Sequence, residues 1–181
     1  IWTEWISSTV TCNEWQLKAY KLYLDNHPLF NNIDDLEIKS SKVDWHKFPR
    51  MAVKYRKEIV ALWKKYSKDE IESAWNRMSI EEFKDLLDNW NIDDYIVLDM
   101  RNNHEYNLWH FKNAIPANTM TFRELENEIE NYKKQFWDKK VISYCTGWIR
   151  CEKSTVMLQK AWLKNTYQLD GWVVKYINTY N

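Results

Sequence analysis

Two short apolar runs, "YIVLDM" at 95–100 and "KVISY" at 140–144, limit this chain more than any other feature. Neither alternates polar with apolar residues, which is the pattern of strands buried on both faces. Between them "TFRELENEIENYKKQF" carries Phe122, Leu125, Ile129, Tyr132 and Phe136 at spacings of three and four, the stripe of an amphipathic helix. Downstream, "EKSTVMLQKA" reads as a helix, "TYQLD" as a third strand and "WVVKYINTY" as a closing helix, while "AIPA" suits a short strand. This alternation predicts an α/β fold with a parallel sheet covered by helices on both sides. Two capping boxes are expected, Ser79 with Glu82 and Thr121 with Glu124. Ser79 opens "SIEEFKDLLDN", where Ile80, Phe83, Leu86 and Leu87 share one face.

The first 62 residues read differently. "ISSTVTC" suggests a strand, "EWQLKAYKLYLDNH" a helix ended before Pro28, and "LEIKSSKV" and "RMAVKYRKEIV" two further strands. In the last of these Met51, Val53 and Tyr55 alternate with Arg50, Lys54 and Arg56. The β-α-β-β order predicts a small α+β domain of ferredoxin or acylphosphatase type over 1–62. The chain opens in "IWTEW" without an initiator Met, and an earlier strand of this domain is expected to precede it. A polar linker with a short helix at "KDEIESAW" is expected over 63–78, and the α/β domain over 79–181.

Composition narrows the function classes. No segment has the apolar length of a membrane span. Three cysteines, Cys12, Cys145 and Cys151, are too few for a disulfide framework and suit a reducing compartment. No Cys/His grouping has the spacing of a zinc site, so no metal is expected. Net charge is zero, yet Lys42–Lys65 holds 8 basic and 2 acidic residues with aromatics interleaved. That patch fits a nucleic-acid face and, equally, a solvated strand face beside a charged helix end.

Glycine is scarce and tryptophan abundant, 2 against 12. Trp45, Trp90, Trp137 and Trp162 fall at turns and helix ends, where glycine's freedom at positive φ is normally used. They are therefore expected to stand at glycine positions. The alternative is a chain rich in tryptophan for its own sake.

In parallel α/β sheets, sites form beyond the carboxyl ends of the strands. Asp99–Arg101, Cys145–Arg150 and Asp170–Trp172 are all expected there. In "YCTGWIRCEK" a cysteine ends a strand and an arginine follows five residues on, just before a helix. Helix N-terminal amides and dipole favour a thiolate. Amides of Thr146, Gly147, Trp148, Ile149 and Arg150 curling around Sγ would hold a thiolate, a persulfide or an oxyanion, with Arg150 adding charge. Such a loop calls for glycine at 147 and 148. The bare pattern fits a reactive Cys145 and an inert, buried cysteine equally. Cys151 is read as packing on the first helical turn, with a resolving thiol as the alternative.

"VLDMRNNHEYNLWHFKNAIPA", "YCTGWIRCEK" and "YQLDGWVVKY" resemble the three signature segments of rhodanese domains. Trp109, Trp148 and Trp172 occupy the glycine positions of those segments. With "FPRMAVKYRKEIV" upstream, the chain resembles the bacterial tRNA uridine hydroxylase family, in which a small α/β domain precedes a rhodanese-like domain. The resemblance implies oxygen-dependent formation of 5-hydroxyuridine at the wobble position of tRNA. It implies that Cys145 is essential, that Thr146–Arg150 cradle it, and that Asp99 and Arg101 support the loop, most simply as a structural ion pair. His110 would make a structural hydrogen bond. Arg50, Lys54, Arg56 and Lys57 would face tRNA. The expected partner is tRNA in the cytoplasm, with molecular oxygen as substrate and no cofactor evident. Two other functions stay open: sulfur transfer through a Cys145 persulfide, and a binding module in which Trp148 strains the loop and obstructs its mouth. A phosphatase fits less well, because the loop from cysteine to arginine spans only six residues.

Overall fold

The computed structural model describes residues 8–31, 42, 44, 48–55, 58, 60–89, 94–161 and 163–180, apart from the side chain of Trp172. The chain divides into two compact units, Thr3–Lys57 and Glu58–Asn181, the second also including Ile1–Trp2. In the first unit the described secondary structure is helix α1, Glu14–Asn26. Asn13 caps it in a reciprocal box with Gln16, which satisfies two otherwise orphaned N–H groups. The strand expected at "ISSTVTC" is not formed over Ser8–Cys12, nor is the one at "RMAVKYRKEIV" over Arg50–Tyr55. Met51, Val53 and Tyr55 are 90%, 86% and 88% exposed, so their alternation covers no core. A strand needs a ladder partner, and most of "LEIKSSKV" lies outside the described residues.

The second unit is built around a five-stranded sheet whose described pairings are all parallel. Its elements in chain order are α2 (Lys68–Ser73), β1 (Arg77–Met78), α3 (Ile80–Asp88), β2 (Tyr95–Asp99), α4 (Asn103–Leu108), β3 (Ile115–Pro116), a 3-10 turn (Phe122–Glu124), α5 (Leu125–Phe136), β4 (Lys140–Tyr144), α6 (Ile149–Lys160), β5 (Thr166–Leu169) and α7 (Trp172–Tyr180). The spatial order is β1-β5-β4-β2-β3. The two apolar runs pair along their length, from Tyr95 opposite Lys140 to Asp99 opposite Tyr144. One side of the sheet packs Leu98, Met100 and Val141 against Leu125, Tyr132, Phe136, Val156 and Leu158. The other packs Val97, Ile142 and Tyr144 against Ile80, Phe83, Leu86 and Val173. This burial on both faces explains why neither strand alternates.

Residues 63–78, expected as a linker, carry α2 and β1 and place Tyr66, Ile71, Ala74 and Met78 in the core. Strand β1 is only two residues long, too short to show as a pattern in the sequence. The Ser79–Glu82 capping box forms. The one at Thr121 does not: Glu124 accepts from the Met120 N–H and the Thr121 hydroxyl, and the chain makes a 3-10 turn before α5. Among the described residues no helix is long and apolar enough to cross a membrane.

Candidate active site

The chain leaves β2 towards β3 on one side and leaves β4 towards β5 on the other. Their carboxyl ends are therefore a topological switch point, where a crevice opens between diverging connections. Asp99 ends β2, Cys145 follows β4, and the Met100 N–H donates to the Tyr144 carbonyl at 2.9 Å, so the two ends are stitched together.

Cys145 is buried, at 1% exposure. Burial pushes its thiol up, but hydrogen bonding from the Cys151 thiol, the nearby Arg150 charge and the N–H groups of Cys151 and Gly147 outweigh it and bring the group down to about 7. Cys151 moves the other way, well above an ordinary thiol, through burial and the adjoining Cys145 sulfur. When the pair ionises, the negative charge thus settles on Cys145 and the proton stays on Cys151.

Trp148 is the N-cap of α6, with φ 71° and ψ −51°. The Ile149 N–H bonds the Gly147 carbonyl at 2.8 Å across it. This is a γ-turn of the positive-φ kind, rare and strained for a residue with a side chain. It lets the chain reverse so that α6 starts one residue later, with the Glu152 N–H on the Trp148 carbonyl at 3.1 Å. The indole lies over the Arg77 guanidinium, 4.2 Å from ring centre to Cζ, and hydrogen-bonds Glu152. Gly147, expected to need glycine, does not: a Cβ there would meet nothing within 4 Å, and its φ is not positive. The other tryptophans at expected glycine positions differ from Trp148. Trp109 has φ −168°, an extended value open to any residue, and Trp137 has φ −52°. The positive φ near Trp137 belongs to Asp138, and near Trp172 to Gly171. Trp45, Trp90 and Trp162 lie outside the described residues.

The strain at 148 sets an expectation for Trp148→Gly. Relief is worth about 1–3 kcal/mol. Against it stand about 0.5–1 kcal/mol for the lost stack on Arg77, about 0.5–1.5 kcal/mol for the lost hydrogen bond to Glu152, and about 0.4–1 kcal/mol for the freedom glycine adds to the unfolded chain. These contributions nearly cancel, so thermal unfolding should show Tm within about 5 °C of wild type; a larger fall would contradict the strain, at about 2–4 °C per kcal/mol for a chain of this size.

Arg150 does not stand free at the rim. Its guanidinium makes a two-pronged pair with Glu105 of α4, Nη1 to Oε2 at 2.5 Å and Nη2 to Oε1 at 2.8 Å. The Thr146 hydroxyl donates to Glu105 Oε1 at 3.0 Å and accepts from Arg150 at 3.3 Å. The Arg150 bond holds the Glu105 carboxyl down at about 2, despite its partial burial. Sequence reasoning missed both α4 and this role of Glu105. The signal was present: Asn102 and Glu105 have capping-box spacing, and Asn102 is the N-cap of α4 with the Glu105 carboxylate on its N–H.

Asp99 and Arg101 form a buried brace behind the loop. Arg101 reaches both Asp99 carboxylate oxygens at 2.7 to 3.1 Å and donates to the Trp109 carbonyl at 2.5 Å. The Tyr144 hydroxyl completes the shell on Asp99 at 2.7 Å. His110 stacks on Tyr106, and its Nδ1 meets the Tyr106 carbonyl at 2.9 Å. Asp170 pairs with Arg77 at 3.7 Å. Glu152, buried in the first turn of α6, accepts from the Trp75 indole at 2.7 Å, and burial pushes its carboxyl up.

Beside the Glu105–Arg150 pair opens a cleft of about 480 Å³, lined by Asn102, Phe122, Arg123 and the backbone turn at Val60–Ala61. It offers the Arg123 guanidinium, the Glu105–Arg150 ion pair and the Phe122 ring. Among the described residues no three His, Cys, Asp or Glu side chains are grouped to hold a metal ion. In the first unit Arg50 and Lys54 are solvent-exposed, while Arg56 and Lys57 lie outside the described residues.

Residues 79–179 match the rhodanese-like domain family. The chain is 34% identical over 173 residues to a tRNA uridine(34) hydroxylase of Onion yellows phytoplasma, covering 96% of this chain and 54% of that protein. It is 37% identical over 174 residues to a tRNA uridine(34) hydroxylase of Staphylococcus saprophyticus, covering 96% and 53%. It thus spans about half the length of the curated relatives it matches. A solved protein of unknown function from Rhodopseudomonas palustris, described as a possible tyrosine phosphatase, superposes with TM-score 0.50 at 17% identity over 61% of this chain and 86% of that one. That likeness concerns the fold alone. Family match, parallel sheet and cysteine loop agree: the chain belongs to the rhodanese-like domain family.

Proposed function

We propose that this protein hydroxylates the wobble uridine of tRNA, consuming molecular oxygen, with Cys145 as the essential residue. The observation that carries this reading is the extent of the likeness. Similarity to proteins named tRNA uridine(34) hydroxylase runs over 96% of the chain, well past the rhodanese-like part at 79–179. A shared domain alone would not produce that.

The site geometry supports the reading. A thiolate at the crevice is a nucleophile available near neutral pH. The neighbouring cleft has the volume for one nucleotide, and its Arg123 guanidinium suits a phosphodiester. Arg50 and Lys54, with Arg56 and Lys57 outside the described residues, are our candidates for contacts to the tRNA backbone. Such contacts weaken steeply with salt. We take the cytoplasm, where thiols stay reduced, as the compartment.

Nucleoside analysis of tRNA from cells lacking the gene, complemented with wild type or Cys145→Ala, tests the reading. Hydroxyuridine should return with wild type and stay at background with the variant. Equal levels in the two strains would refute it. Cys145-dependent release of sulfur from thiosulfate, with tRNA unaffected, would establish the sulfurtransferase alternative instead.

A further inference from the structure

Hydroxylation by dioxygen puts one oxygen atom into the substrate and must reduce the other to water. The reduction takes two electrons and two protons, and two thiols closing to a disulfide release that number. Cys145 and Cys151 are both buried, at 1% and 4% exposure, and belong to one packed cluster. The γ-turn at Trp148 and the helical bond from Glu152 to Trp148 fold the chain back, so the first turn of α6 returns to the end of β4. There the Cys151 thiol and its backbone N–H both hydrogen-bond the Cys145 sulfur. Cys12, the third cysteine, belongs to the other compact unit.

We propose that Cys145 and Cys151 are a redox-active dithiol that closes to a disulfide and supplies the two electrons of the hydroxylation. The proposal rests on the hydroxylase reading above. Its balance is complete: the uracil C5–H bond gives way to C5–OH, and the O–O bond breaks. The second oxygen leaves as water with the Cys151 proton and one proton from solvent, and an S–S bond forms. An external thiol reductant then reopens the pair for the next turnover. The unequal sharing of charge suits this chemistry. Cys145 is the thiolate that reacts first, and Cys151 keeps its proton until it attacks the oxidised sulfur of Cys145.

The test uses the intact protein, reduced and freed of small thiols. Treatment with one equivalent of diamide should give a Cys145–Cys151 linked peptide on mass mapping, reversed by dithiothreitol. Mixed products with Cys145 blocked and Cys151 free would overturn the proposal. In a single turnover with tRNA and air but no added thiol, wild type should form hydroxyuridine and disulfide in equal amounts. Cys151→Ser and Cys151→Ala should fall at least tenfold below that. Undiminished hydroxyuridine in either variant would overturn the electron assignment. Failure of the wild type to form hydroxyuridine even with dithiothreitol present would instead sink the hydroxylase reading, and the electron assignment with it. The linked peptide is read in the wild type, so poor folding of a variant does not blunt the test.

Discussion

Arg101→Leu should lower stability by about 3–5 kcal/mol, the cost of leaving a buried carboxylate without its ion partner. Asp99 is fully buried, and Arg101 supplies its only charge neutralisation among the described contacts. The Tyr144 hydroxyl would remain, but a neutral donor cannot replace a guanidinium gripping both carboxylate oxygens. At about 2–4 °C per kcal/mol for this size of chain, Tm should fall by about 6–20 °C. Asp99→Asn combined with Arg101→Leu should recover part of the loss, because no charge is then stranded. A fall of less than about 2 °C for Arg101→Leu would show that the pair is not the brace between β2, β4 and the Trp109 segment described above.

The second large effect concerns the thiolate. Arg150 lowers Cys145 by its charge, and Glu105 offsets that charge through the paired geometry. Substitutions at the two positions should therefore act in opposite directions. Arg150→Leu should raise the pH at which Cys145 ionises by about one unit or more. At pH 7 that takes the thiolate from about half of the molecules to about a tenth or less. Glu105→Gln should lower it, since Arg150 then lacks a counter-ion. Burial and the hydrogen bonds from Cys151 and the Gly147 amide also act on the sulfur, and neither substitution removes those hydrogen bonds. Site-resolved alkylation rates across pH 5–10 would measure both shifts, and movement of both variants in the same direction would contradict the assignment.

How much of this was legible in the sequence depended on how local each cause is. The buried strands at Tyr95–Asp99 and Lys140–Tyr144 showed as unbroken apolar runs, because burial on both faces leaves no polar alternation to hide them. Helix α5 showed through its stripe, and the Ser79 cap through its spacing. The loop at Cys145 was legible because a strand end, a thiol and a helix start are contiguous. What stayed hidden depends on distant partners. Glu105 and Arg150 are 45 positions apart, and nothing in either segment names the other. Nothing in "EKSTVMLQKA" marks Glu152 as buried, yet it packs against Trp75 and Arg77 from the stretch expected to be a linker.

The tryptophans teach the same lesson. Their positions at turns suggested glycine throughout, but positive φ falls on Trp148 and, near Trp137 and Trp172, on the neighbours Asp138 and Gly171. Turn chemistry fixes a neighbourhood; which residue takes the left-handed conformation is decided by the hydrogen bonds around it. At 148 the bond from Ile149 to Gly147 decides it.

The claim on which everything else depends is that Cys145 is a thiolate near neutral pH, although it is buried. Its rate of alkylation by iodoacetamide, followed at that one peptide as pH is raised, measures this directly. Half-maximal rate is expected at about pH 7, with a plateau above about pH 8. A midpoint at about 8.5 or higher, where an ordinary cysteine ionises, or a Cys145 that does not react at all, would contradict it.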